Sequence, residues 1–268
     1  AARPSAARPS AGVLASAVLA CLLPAAPLTA EVPTYQVDVV STFTVSTTLR
    51  GASDAGHLVG DQTVLGVLQP FLATADAGLQ PLPLPDGFQS GTALDVNDGG
   101  VIVGAVADNG FPFDAGEPAI WLPDGAGGYD VVIPEQFDSL SSPIGELTID
   151  GGMAVAINNA GTIVGWSRYT GFQGGPSTRF FVDGAPVDLR SFGFEATVRD
   201  VSDHDLVVGG RLKLDLATGT TTDIGLPDPI PGGTPFVQAI IYRVNASGET
   251  VVAADLASIP LENWLTYL

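Results

Sequence analysis

The 268-residue chain is short of the groups on which most site chemistry depends. It has one cysteine, Cys21, one methionine, two histidines, and 10 lysines and arginines against 29 acids. A lone thiol cannot form an intramolecular disulfide, so stability must come from packing and backbone pairing. His57 and His204 are the only histidines, and no cysteine follows residue 21, which leaves a conventional zinc site without enough ligands. Both histidines fall in turn sequences and are read as exposed turn residues. No G-x-S-x-G elbow occurs and neither histidine has an identifiable partner, so Ser-His-Asp catalysis has no candidate. A formal charge of −19 argues against a surface that neutralises phosphates, and so against a nucleic-acid partner, and it disfavours anionic lipid.

What the chain does contain is turn formers and β-formers. There are 33 glycines and 21 prolines, while charged residues make up only 15%, so the Glu/Lys spacing of surface helices is scarce. Val, Ile and Thr recur in short runs bounded by Gly, Asp or Pro, and the fold class is all-β. The first thirty residues stand apart. Arg3 and Arg8 precede the run AGVLASAVLACLL, followed by AAPLTA ending at Ala30. A basic start, an apolar run too short to span a bilayer and a small residue at the cut predict a signal peptide over 1–30. The sequence VLAC loosely resembles a lipobox, but the apolar run continues past Cys21. The mature part, 31–268, is expected to be one secreted or cell-surface domain without a transmembrane segment.

One decamer organises the rest. AINNAGTIVG at 156–165 nearly copies DVNDGGVIVG at 95–104. Aligned copies lie near 52–60, 96–104, 157–165, 201–209 and 244–252, with Gly56, Gly100, Gly161, Asp205 and Gly248 at the fifth position. Those positions are 44, 61, 44 and 43 residues apart, a blade-sized period interrupted by one insertion of about 17 residues. Within a copy, an apolar residue ends one strand, an Asn, Asp or Ser pair opens a turn, and Gly takes a positive φ. Asp205 is among the few other residue types that tolerate that conformation. Return strands such as VIVGAV are apolar at consecutive positions, as in strands covered on both faces. A second hairpin follows in each unit, as in PAIWLPDG (118–125), TRFFVDG (178–184) and LKLDLATG (212–219). Trp121, Phe180 and Phe181, on these third strands, are assigned to the core.

Four strands per unit and five units predict a five-bladed β-propeller of four-stranded antiparallel blades. The last unit stops after its third strand, and Val37-Asp38-Val39 matches the fourth-strand segment Val187-Asp188-Leu189. A strand at about 35–40 is therefore expected to complete the last blade and close the ring.

These decamers resemble the turn cores of the bacterial HAF-repeat proteins (predicted extracellular repeat proteins), which carry IND-x-G-x-IVG. The resemblance covers most of 35–268. The His-Ala-Phe triplet itself is absent, its places holding PAI, TRF and QPF. The family implies an extracellular propeller-like fold and brings no established enzymatic activity.

Asn97, Asp98, Gly100, Asn158, Asn159, Gly161, Asp203, Asp205, Asn245 and Gly248 are assigned structural turn roles, because a demand that repeats in every blade explains a residue that repeats. Asp95 and Asp200, just before two turns, are read as solvated or capping. Oxygen ligands for calcium are plentiful, yet no Asp-x-Asp/Asn-x-Asp/Asn-Gly loop occurs, so neither a metal nor a cofactor is assigned. The sequon at Asn245 coincides with a turn copy and carries no separate weight. Long connections are expected to collect on one face, in 105–117, 134–152, 166–178 and 227–235, and the candidate ligand contacts there are Phe111, Phe113, Trp166, Arg168, Tyr169 and Phe172. The function expected is binding of an extracellular protein or polysaccharide, without catalysis. The alternatives are a purely structural matrix or surface component and a propeller glycosidase. The glycosidase would need two carboxylates across a pocket, from acids such as Asp114, Glu117, Glu135, Glu146 and Asp150. A carboxylate cluster near the axis would favour it.

Overall fold

The computed structural model of the chain describes residues 46–108, 116–134, 139–142, 145–170, 177–182, 185–226, 236–245, 248–256 and 265–267. The signal peptide expected at 1–30, the strand expected at 35–40, and Phe111, Phe113 and Phe172 lie outside them. Alternation of β-formers with Gly- and Asp-centred turns produces five antiparallel sheets, as the sequence predicts for the fold class. The first contains β1 (Thr47–Ala52), β2 (Leu58–Val64), β3 (Val67–Thr74) and β4 (Gly78–Pro81) in sequential order. The second repeats that plan with β5 (Ser90–Val96), β6 (Ile102–Ala107), β7 (Glu117–Pro123) and β8 (Tyr129–Val132).

The third sheet departs from the expected four strands. It runs β9 (Ser139–Ser142), β10 (Gly145–Ile157), β11 (Ile163–Thr170), β12 (Ser177–Val182) and β13 (Ala185–Asp188). The insertion read as loop at 134–152 is largely a hairpin, because β10 extends to pair with β9 at its start and with β11 along the rest. The same extension places Trp166, Arg168 and Tyr169 on β11, opposite Met153, Gly151 and Ile149, and not in a loop. The fourth sheet has β14 (Asp200–Val201), β15 (Leu206–Gly209), β16 (Leu212–Asp215) and β17 (Thr220–Asp223). The fifth, among the described residues, has β18 (Phe236–Val244), β19 (Thr250–Leu256) and β20 (Leu265–Tyr267).

Return strands are covered on both sides. Neighbouring residues of β6 enter different cores: Ile102 packs with Val59, Leu72 and Trp121, whereas Val103 packs with Ala154, Ile157 and Ile163. The first core joins sheets one and two, the second joins two and three, and a third, around Val164, Phe194 and Leu214, joins three and four. Trp121 is fully buried and its indole N–H donates to the Pro83 carbonyl at 2.7 Å. A short 3-10 turn, Leu189–Phe192, leads from sheet three to sheet four, capped by the Asp188 side chain and ended by Gly193 at φ 74°.

At the repeated turns, Gly56, Gly100, Gly161 and Gly248 have φ between 77° and 90°, and Asp205 has φ 57°. The glycine ending each IVG-type triplet has a different cause. An added Cβ at Gly60, Gly104, Gly165 or Gly209 would overlap the carbonyl oxygen of Thr48, Thr92, Met153 or Thr197 on the preceding strand. In four of the five copies the second strand lies too close to the first for any side chain there.

Candidate functional site

The five turns are built alike, and the first four are then linked in series. The first polar residue of each closes its own turn. Asn97 Oδ1 accepts the Val101 N–H at 3.0 Å, Asn158 Oδ1 that of Thr162 at 2.8 Å, and Asn245 Oδ1 that of Glu249 at 2.9 Å. Ser202 Oγ accepts the Leu206 N–H at 3.2 Å, and Ser53 Oγ contacts His57 Nδ1 at 3.1 Å. His57 is thereby half-buried, and only His204 is exposed.

The second polar residue reaches the neighbouring turn instead of its own, a link that the repeat alone does not show. Asp98 accepts the Ala55 N–H at 3.0 Å, Asn159 the Asp98 N–H at 2.8 Å, and Asp203 the Asn159 N–H at 2.8 Å. The carboxamides of Asn97 and Asn158 donate to the carbonyls of Asn158 and Ser202 in the same direction. Asp205 gains two donors in this way, Asn158 Nδ2 at 2.8 Å and Thr162 Oγ1 at 2.6 Å, which gives its left-handed backbone a compensation that Gly could not supply.

Three residues before each turn's first polar residue stand Arg50, Leu94, Val155, Arg199 and Tyr242. Each coincides with an irregularity in the pairing of its strand. Register shifts fall between Leu49 and Gly51, Ala93 and Asp95, Ala154 and Ala156, and Ile241 and Arg243. In the fourth sheet Arg199 N donates to Val208 O, the residue that Asp200 also faces. A bulge interrupts the alternation of faces and re-aims a side chain. The result is one cavity of about 320 Å³ lined by these five side chains with Leu49 and Arg243, so that every sheet contributes.

A second cavity, of about 230 Å³, is lined by residues of all five turns, among them Asp54, Asp98, Asn159 and Asp203, and Arg243 borders both cavities. Asp95 and Asp200 also line it, and here the sequence reading is corrected: both are buried, not solvated. Asp95 Oδ2 accepts the Ile157 N–H at 3.0 Å and Asp200 Oδ2 the Val244 N–H at 2.9 Å, each reaching into the following sheet. A carboxylate placed there satisfies a strand-end amide that would otherwise be orphaned. Burial pushes the Asp95 carboxyl up to about 6, with the Asp200 charge adding to the rise and the Ile157 N–H and Arg243 opposing it. Asp200 is raised as well, chiefly by burial, against the Val244 N–H and Arg243. Arg243 ties these groups together, with Nη1 at 3.6 Å from Asp200 Oδ1 and Nη2 donating to the Arg50 carbonyl at 3.2 Å.

The sign of the Asp95 shift makes a prediction. A carboxyl raised in the folded state holds its proton longer there than in the unfolded chain, so stability falls as pH rises from about 4 to about 6 and is level above. Asp95→Asn keeps an acceptor for Ile157 without the buried charge. It is expected to be about 2 kcal/mol more stable than the parent at pH 7.5, with the difference vanishing near pH 4. Melting curves showing the same difference at both pH values would contradict it.

Of the sequence-based ligand contacts, Trp166 is half-buried on β11, Arg168 and Tyr169 have strand positions with side chains outside the described set, and the three phenylalanines lie outside it entirely. The structure does not bring them together as described residues. Among the glycosidase acids, Asp114 and Glu135 lie outside the described residues, and so do the side chains of Glu146 and Asp150; Glu117 starts β7. The bulge residues and the buried Asp95 and Asp200 were missed. A signal existed for the aspartates: both stand two residues before a turn inside an apolar strand end, in ALDVN and VRDVS. Among the described residues no group of three or more His, Cys, Asp or Glu could hold a metal ion, and no helix is long and apolar enough to cross a membrane. No protein-family model matches the chain, and no curated protein matches it.

Proposed function

We propose that the chain is an extracellular binding module of the β-propeller type, related to the HAF-repeat proteins, whose ligand enters the cavity lined by Arg50, Leu94, Val155, Arg199 and Tyr242. The observation that carries this is the inequality of those five residues. The backbone around them repeats, down to the bulge, while the side chains are two cations, two aliphatics and an aromatic. Residues that the scaffold repeats are accounted for by the scaffold, and residues that it leaves unequal call for another cause. A concave site with apolar walls and a few polar groups is the usual form of a ligand pocket. Ring closure by Arg243, from the last sheet to the Arg50 carbonyl of the first, and by a strand at 35–40 belongs to the same reading.

A carboxylate cluster does exist at the turn cavity, which was the feature expected of a glycosidase. Its members are nevertheless engaged: Asp95, Asp98, Asp200 and Asp203 each accept a backbone N–H from a neighbouring repeat. Polar groups so used hold sheets together and leave catalysis without an unencumbered pair. The partner is an extracellular polysaccharide or protein, and the test is a glycan array probed with the full chain and with Leu94→Trp, which fills the cavity. Signal that disappears in the variant while its melt stays unchanged is expected. Signal that persists undiminished would move the site away from the cavity.

A further inference from the structure

We infer that the cavity of about 320 Å³ takes a carboxylate-bearing sugar, a hexuronate, with Arg199 as the group that grips the carboxylate and Tyr242 as the surface beside it. This rests on the binding reading above and adds to it the charge of the ligand.

Cations are scarce in this chain, and three of its ten, Arg50, Arg199 and Arg243, border this one cavity. Two of the three are spoken for. Arg50 Nε lies 2.5 Å from the buried carboxylate of Asp61, and Arg243 is held between Asp200 and the Arg50 carbonyl. Arg199 is different. It is exposed, and among the described residues no carboxylate lies within ion-pair reach of it. Elsewhere on this acidic surface arginines do find partners, as in Arg190 with Asp188 and Arg211 with Asp223. Asp200, next to Arg199 in sequence, turns its carboxylate to the Val244 N–H and Arg243 instead.

The Arg199 guanidinium carbon stands 5.5 Å from the Tyr242 ring centroid, a cation–π distance that steadies the planar fork. A steadied guanidinium offers two parallel N–H groups to a carboxylate, the geometry in which such bonds are strongest. Around it, Leu49, Leu94 and Val155 supply apolar walls against which the C–H face of a sugar ring can rest, and these an inorganic anion would not use. Ligand pockets span about 300–1,000 Å³, and this cavity sits at the small end, the size for one ring at a time. The net charge of −19 works against the approach of an anion from a distance. Screening at physiological ionic strength shortens that repulsion to about 8 Å, so affinity must come from contact with Arg199 and not from long-range steering.

The test is calorimetric titration of the full chain with galacturonate, with galactose as its neutral match, and with trigalacturonate. Galacturonate is expected to bind at least tenfold more tightly than galactose, and Arg199→Gln to lose at least tenfold of that affinity with an unchanged melt. Arg199→Lys should recover part of it. Tighter binding of the trimer would identify a polymer chain as the source of the uronate, and equal binding a free acid; both support the site. Equal affinity for galacturonate and galactose, or full affinity in Arg199→Gln, would overturn the inference. If a neutral sugar binds and is lost in Tyr242→Ala but kept in Arg199→Gln, the binding module stands and the acidic ligand falls. If no sugar of either kind binds, the inference falls, and a cavity-dependent signal on the array decides the broader reading separately.

Discussion

Asn158→Leu is expected to destabilise the protein by about 4 kcal/mol and to lower its melting temperature by about 10 °C. The side chain is 3% exposed and joins two turns. Its Oδ1 takes the Thr162 N–H, while its Nδ2 donates to the Ser202 carbonyl and to Asp205. Leucine would leave these partners short of a bond in a place that water reaches poorly, at about 1–3 kcal/mol for each buried group left unsatisfied. For a domain of this size each kcal/mol moves the midpoint by about 2–4 °C. Asn159→Ala provides the contrast. That residue is exposed, and Ala removes only its side-chain bonds, the Oδ1 acceptor of the Asp98 N–H and the Nδ2 donor to Asp203, both at the surface where water replaces them, so the loss should stay below about 1 kcal/mol. Equal midpoints for the two variants would refute the division of labour between the first and second turn residues.

Gly104→Ala is expected to cost about 3 kcal/mol, although the change adds one methyl group to a strand. The new Cβ would lie 1.9 Å from the Thr92 carbonyl oxygen, so the obstacle is backbone and cannot swing aside as a side chain would. Strands β5 and β6 would have to part, loosening the register that carries Ile102 and Val103 into their separate cores. Gly99→Ala, five residues earlier, meets only Asn97 Oδ1 at 3.3 Å, and its cost should lie within about 1 kcal/mol. A melt of Gly104→Ala within a degree of the parent would mean that the strands approach less closely than described.

Local chemistry was legible in the sequence. The Asn/Asp–Gly signature marks turns because a positive φ and an Asx bond are properties of a few neighbouring residues, and the double-sided strands are visible as unbroken apolar runs. What could not be read involves partners one repeat away. Asp98 reads as a turn former, and its bond to Ala55 lies 43 positions back. Asp95 reads as solvated or capping, and the amide that it caps could not be read because Ile157 lies 62 positions on. Bulges hid the cavity in a second way, since a shift in register abolishes the alternation by which inward residues are recognised. Trp166 was misplaced because an insertion was taken for loop, when length alone does not distinguish a loop from a hairpin that lengthens the strands beside it.

The turn-to-turn bonds run one way, from Ala55 to Asp98, Asp98 to Asn159, and Asn159 to Asp203. A row with a direction also has a terminus. The corresponding residue of the fifth turn is Ala246, which carries no side-chain acceptor for the Asp203 amide. From the fourth sheet to the fifth the tie passes instead through Asp200, which takes the Val244 N–H and faces Arg243, so one buried carboxylate does there what a chain of turn side chains does in the earlier sheets.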